Sequence, residues 1–136
     1  MAKLIFFLKR KKGITPEQFR EHYEKSHVRY AQKYIGHLLT GYTRNYPIFA
    51  TLDPSNVPPG TQPKPYDTGY DAIVEMRVKD GAALEEIGRI FNDPEIQPIL
   101  KEDERKFLDD SSTVMIVSDE VDTGTKFTKE PESVLP

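Results

Sequence analysis

The spacing of apolar residues changes period repeatedly along this chain, and each change marks an element. Residues 3–9, KLIFFLK, are apolar at odd and even positions alike, the pattern of a strand covered on both faces. Gly13 closes that strand and a helix start follows. Thr15 is placed as N-cap, Pro16 at the first helical position, Glu17 in the first turn, and Gln18 completes a capping box. At about 100° per residue, Phe19, Tyr23, Tyr30 and Tyr34 fall in one sector about 60° wide, with His27 at its edge. Gly36 supplies the stop.

Period two returns at 37–47, HLLTGYTRNYP, with Leu38, Thr40, Tyr42, Arg44 and Tyr46 on one face. Residues 47–69 contain six prolines and predict a long irregular loop, a lid or an interface segment within the domain. A third strand is predicted at 70–78. Asp80 then caps a helix through Phe91, and Asp93–Pro94 repeats the device for a helix continuing towards Leu108. The last strand is predicted at 112–119, and 120–136 reads as an arm or tail. The order β-α-β-β-α-β predicts an α+β, ferredoxin-like domain over 1–119, with helices on one face of a four-stranded antiparallel sheet. Its other face is too apolar to stand bare, so the pattern predicts a homodimer formed sheet to sheet.

Composition narrows the chemistry. At 37% hydrophobic and 30% charged residues the chain is globular rather than disordered. Its longest apolar run, LIFFL at 4–8, is too short to cross a membrane as a helix or to serve as a secretory signal, which leaves a cytoplasmic location as the expectation. There is no cysteine, which excludes disulfide and thiolate chemistry. With a net charge of −3 and a single basic run, Lys9 to Lys12, nothing resembles a nucleic-acid stripe. No metal-ligand spacing, phosphate-binding glycine loop or nucleophile elbow occurs, so neither metal nor cofactor is expected.

The remaining candidates are few. His27 beside an aromatic stripe is either a hydrogen-bonded core residue or a proton carrier; an apolar wall would favour its neutral, basic form. His22 lies about 140° around an ideal helix from His27 and shares no face with it. Asp71, at the third strand's start, caps a turn or orients the imidazole. Tyr42, Arg44 and Tyr46 either grip a flat hydroxylated ligand, with Arg44 on an anionic group, or form a surface ladder.

A family resemblance adds to this reading. Residues 4–34, LIFFLKRKKGITPEQFREHYEKSHVRYAQKY, resemble the opening of EthD-domain proteins of the dimeric α/β-barrel superfamily. The matching features are the apolar strand, the basic run Lys9–Lys12, the helix start Gly13–Phe19, and Tyr23 followed by His27. GYTRNY (41–46), YDAIVEM (70–76) and EDERKFLD (102–109) are similar to later family segments, so the resemblance spans residues 3–119. Family members commonly carry proline just past the histidine, where this chain has Val28 and Arg29. The resemblance implies a pocket between sheet and helices, a homodimer, and His27 as the working acid or base. Asp71 would assist it, and Tyr23, Tyr30, Tyr42, Arg44, Tyr46 and Asp103 would touch a small aromatic substrate. It implies a cofactor-independent lyase, such as a decarboxylase or cyclase acting on phenolic or polyketide-like compounds. Two alternatives stay open at this point: a cofactor-free monooxygenase, and a binding protein accessory to an oxygenase.

Overall fold

The computed structural model describes residues 2–126. Strands β1 (Ala2–Leu8), β2 (Leu39–Asn45), β3 (Ala72–Val78) and β4 (Val114–Asp119) form one antiparallel sheet in the spatial order β2-β3-β1-β4. Between β1 and β2 runs a helical stretch made of α1 (Pro16–His22), a π-helical turn (Tyr23–His27) and α2 (Val28–Ile35). Between β3 and β4 lie α3 (Gly81–Phe91) and α4 (Gln97–Glu104). The architecture is α+β and ferredoxin-like.

Local chemistry sets the helix starts. Gly13, at φ +91°, makes the left-handed turn out of β1 that a residue with a Cβ adopts only under strain. Thr15 then accepts from the Gln18 amide at 3.1 Å, while the Gln18 side chain takes the Thr15 amide at 2.8 Å. Asp80 caps α3 through the Ala83 amide at 2.7 Å.

Strand register divides the sheet into two faces. Leu4, Phe6 and Leu8 stand opposite Met76, Val74 and Ala72 on the helix-covered side. Phe19, Tyr23, Val28 and Ile35 close over them together with Ala83, Ile87 and Ile90 of α3. Lys3, Ile5 and Phe7 face the other way, opposite Arg77, Glu75 and Ile73, and share that face with Val114 and Ile116 of β4. Val114 and Ile116 are each 41% exposed. At one end of this open face, Lys3 Nζ lies 2.6 Å from both Glu75 and Glu120, and Glu120 also accepts from Arg77 at 2.9 Å.

Several element boundaries differ from the sequence expectation. The second strand begins at Leu39 because Gly36–Leu38 form a 3₁₀ turn. Asp93 caps a turn through the amides of Glu95 and Ile96, and α4 starts only at Gln97. That helix stops at Glu104 rather than running to Leu108, because Leu108 bridges to Arg10 and the Lys11 amide donates to the Phe107 carbonyl at 2.8 Å. The proline-rich loop folds back on itself through a Thr51–Pro65 bridge, with Ile48, Phe49 and Leu52 exposed. Of the expected C-terminal arm, 120–126 forms no regular element, and 127–136 lies outside the described residues.

Phe19 is 1% exposed and packs against Phe107 and Tyr23. Phe19→Ala is expected to lower unfolding free energy by about 3–5 kcal/mol, read by urea denaturation. A loss below about 1 kcal/mol would contradict this placement of the core.

Candidate active site

The site begins with a break in helix geometry. At Tyr23 the backbone amide still reaches Phe19, four residues back, but the Val28 amide reaches the Tyr23 carbonyl, five back. This π turn widens the helix by one residue per turn, so positions five apart come to one side. His22 and His27, about 140° apart on an ideal helix, therefore both reach one carboxylate. Asp103 Oδ1 lies 3.0 Å from His22 Nε2, and Asp103 Oδ2 lies 3.0 Å from His27 Nδ1. The Ser26 hydroxyl donates to Oδ1 at 2.9 Å. Asp103 is 2% exposed. Phe107, fully buried, sits with its ring centroid 4.9 Å from His22 and 5.1 Å from His27, and it also touches Tyr23.

Burial by itself would raise the Asp103 carboxyl. Hydrogen bonds from Ser26, His27 and His22 outweigh it and hold the group below its ordinary value, so Asp103 is ionised at neutral pH. An ionised carboxylate only accepts, so His27 Nδ1 must carry the proton. Nε2 is then the basic nitrogen, and it has no hydrogen bond to the described residues. Burial also pushes the His27 imidazole down, and this outweighs the upward pull of Asp103 to leave it below 6.5. The ring is neutral at cellular pH.

His27 lines a cavity of about 210 Å³ between the sheet and the helices. Tyr23, Tyr30 and Tyr34 line it from the first helical stretch, Tyr42 from β2, and Phe6, Leu8 and Met76 form the apolar sheet wall. The Tyr23 and Tyr42 hydroxyls are 3.0 Å apart. Burial first, and then the neighbouring phenol, raise Tyr23 well above 10, so it stays a phenol. Gln97, Lys101 and Glu104 of α4, with Asp110, add polar groups. No residue of the proline-rich loop lines the cavity.

The other expected residues lie elsewhere. Asp71, expected beside His27, instead accepts from the Arg10 backbone amide at 2.8 Å and from its guanidinium at 3.1 Å. It holds the turn after β1, and the carboxylate that meets His27 is Asp103. Arg44 and Tyr46 do not line the cavity. Arg44 makes a paired contact with Glu24 at 2.8 and 2.9 Å, and the Tyr46 hydroxyl donates to the same carboxylate. Arg44 also stacks on Tyr42, 4.6 Å from its centroid, and so braces one cavity wall from behind. Among the described residues no group of three or more His, Asp or Glu side chains is placed to hold a metal ion, and no helix is long and apolar enough to cross a membrane.

His27 has a lowered folded pKa, so between 6.5 and that lower value the unfolded chain binds the proton and the folded chain does not. Its contribution to stability is therefore lost as pH falls through this window. In urea unfolding from about pH 7 to 5, wild type should lose more stability than His27→Gln, which lacks the titration. Parallel pH slopes for the two proteins would contradict the assignment.

Comparison with known proteins places the chain by family and by fold. The family model described as EthD domain matches residues 11–111. Among solved structures, the chain is similar to an ethyl tert-butyl ether D (EthD) family protein from Bacillus halodurans, at 18% identity and TM-score 0.57, covering 89% of this chain and 99% of that one. It is also similar to a hypothetical Arabidopsis thaliana protein at 14% identity and TM-score 0.54, with 91% of each chain covered. A third is HapK from Hahella chejuensis, at 10% identity and TM-score 0.52, covering 93% of this chain and 99% of that one. No curated protein sequence matches. The structural likenesses show the ferredoxin-like fold, and the family match takes in most of the sequence: the chain belongs to the EthD-domain family.

Proposed function

We propose that this protein is a cofactor-independent enzyme that moves protons on a phenolic or polycyclic aromatic metabolite, most concretely as a decarboxylase or a related lyase or cyclase. One observation carries the reading: an imidazole in a cavity wall, its Nδ1 held 3.0 Å from a buried carboxylate and its Nε2 without a hydrogen bond to the described residues. A positioned imidazole of this kind takes a proton at Nε2 and returns it, while the carboxylate fixes its tautomer and stabilises the imidazolium. Tyr23, Tyr30, Tyr34 and Tyr42 offer hydroxyls and ring faces to a flat, hydroxylated ligand. An apolar cavity of about 150 Å³ in another protein accepts benzene. The cavity of about 210 Å³ here therefore suits one substituted ring, with any further rings reaching through its mouth. A substrate carboxylate would meet Lys101, which lines the cavity and which it would share with Glu104, rather than Arg44, which does not line it.

His27→Ala is expected to lower turnover by about two to four orders of magnitude with the fold unchanged. The assay follows a panel of hydroxylated aromatic acids and phenols by mass spectrometry, under argon and under air. Full activity in the variant would end the proposal. Turnover only in air would replace the lyase with an oxygenase, and ligands bound but unchanged would favour the accessory role.

The proposal includes a second copy of the chain on the open sheet face, where Ile5, Phe7, Ile73, Val114 and Ile116 form an apolar surface. Wild type is expected to sediment as a dimer and Ile116→Glu as a monomer. A monomeric wild type would contradict this part.

A further inference from the structure

Asp103 and Glu104 are successive residues near the end of α4, and an α-helix turns about 100° between them. The same helix thus holds Asp103 against the imidazoles and turns Glu104 to the cavity. We propose that Glu104 is a second proton-transfer residue of this cavity, giving a proton to the substrate while His27 takes one. The inference rests on reading the cavity as a site of proton-transfer chemistry.

The surroundings of Glu104 support this role. Its Oε2 is buried and lies 3.0 Å from Lys101 Nζ. Asp110, in the 3₁₀ turn before β4, lines the same cavity. The charged and titratable groups that share the cavity lining with Glu104 are Lys101 on its own helix, Asp110 on that turn, Tyr23 and His27 on the π turn, Tyr30 and Tyr34 on α2, and Tyr42 on β2. Burial raises the Glu104 carboxyl most and Asp110 adds to it, against the opposing pull of Lys101; the balance lies above the ordinary 4.5. His27 is shifted the other way. A carboxyl raised by burial holds its proton more readily than an exposed glutamate, and an imidazole lowered by burial stays neutral and able to accept one.

The chemistry balances on a hydroxybenzoate. His27 Nε2 takes the phenolic proton while the Glu104 carboxyl protonates the ring carbon that bears the carboxylate, giving a dienone. The bond to the carboxylate breaks, its electron pair returns to the ring, and carbon dioxide leaves. The phenolate recovers its proton from His27, and Glu104 is reprotonated from water. Without a carboxylate, the same pair exchanges ring hydrogens with solvent.

The test uses the full chain in D2O with 1,3-dihydroxybenzene, following ring-hydrogen exchange by proton NMR. A carboxyl-carbon NMR titration of glutamate-labelled protein runs alongside, with Glu104→Gln assigning the resonance. The expected result is exchange faster than buffer in wild type, slowed about 10²-fold in Glu104→Gln. Glu104 should titrate above the exposed glutamates, with a midpoint that drops in Asp110→Asn. Wild-type exchange in Glu104→Gln together with its loss in His27→Ala would overturn this proposal alone. So would a Glu104 that titrates with the exposed glutamates. Wild-type exchange no faster than buffer would overturn the underlying reading and this proposal with it.

Discussion

The site depends on one buried carboxylate. Removing an ion of the size of Asp103 from water costs several kcal/mol, and only well-placed donors offset that cost. Here three side chains supply them, Ser26, His22 and His27, all within one widened turn of helix. Hydrogen bonds to a charged group contribute about 1.5–3 kcal/mol each, so three of them match the desolvation and keep Asp103 ionised. Without the π turn the two imidazoles would diverge, and the carboxylate would lose a donor it cannot replace from water. Helix irregularity and buried charge therefore stabilise each other.

This arrangement organises what surrounds it. Phe107 packs against both imidazoles and against Phe19 and Tyr23, so this cluster of four polar side chains is bound directly to the hydrophobic core. The strand-like contacts of Arg10 and Lys11 with Leu108 and Phe107 fix that wedge to the end of β1. A second charged cluster, Glu24 with Arg44 and Tyr46, lies behind the Tyr42 wall and leaves the cavity mainly aromatic and apolar. An imidazole in such a wall stays neutral because solvent does not reach it well enough to stabilise its charged form.

The fold was largely legible in the sequence. Period-two runs, the Thr15 capping box and the Asp80 cap each produced the element they predict. Helix and strand periodicity singled out Tyr23, Tyr30 and Tyr42, and the family resemblance singled out His27; all four line the cavity. The partnership of His22 was not found, because a wheel turned at about 100° per residue assumes the regular helix that the π turn interrupts. A trace of that interruption was nevertheless present. The buried series Phe19, Tyr23 passes to Val28, Ala31, Ile35, a step of five where three or four is the rule. Asp71 was assigned to His27 because strand starts and helices are neighbours in this topology, yet Arg10 lies nearer and carries the charge that holds it. Asp103 entered only as a substrate contact, since nothing local to 102–109 tells which side of α4 meets the imidazoles.

Asp103 fixes His27, a residue of the cavity wall, with its proton on Nδ1, which leaves Nε2 as the basic nitrogen. Long-range proton–nitrogen NMR of histidine-labelled protein at neutral pH reads this tautomer directly. Wild type is expected to show a neutral ring with Nδ1 protonated and Nε2 bare, and Asp103→Leu to lose that single tautomer. A wild-type ring protonated on Nε2, or carrying both protons at neutral pH, would contradict it.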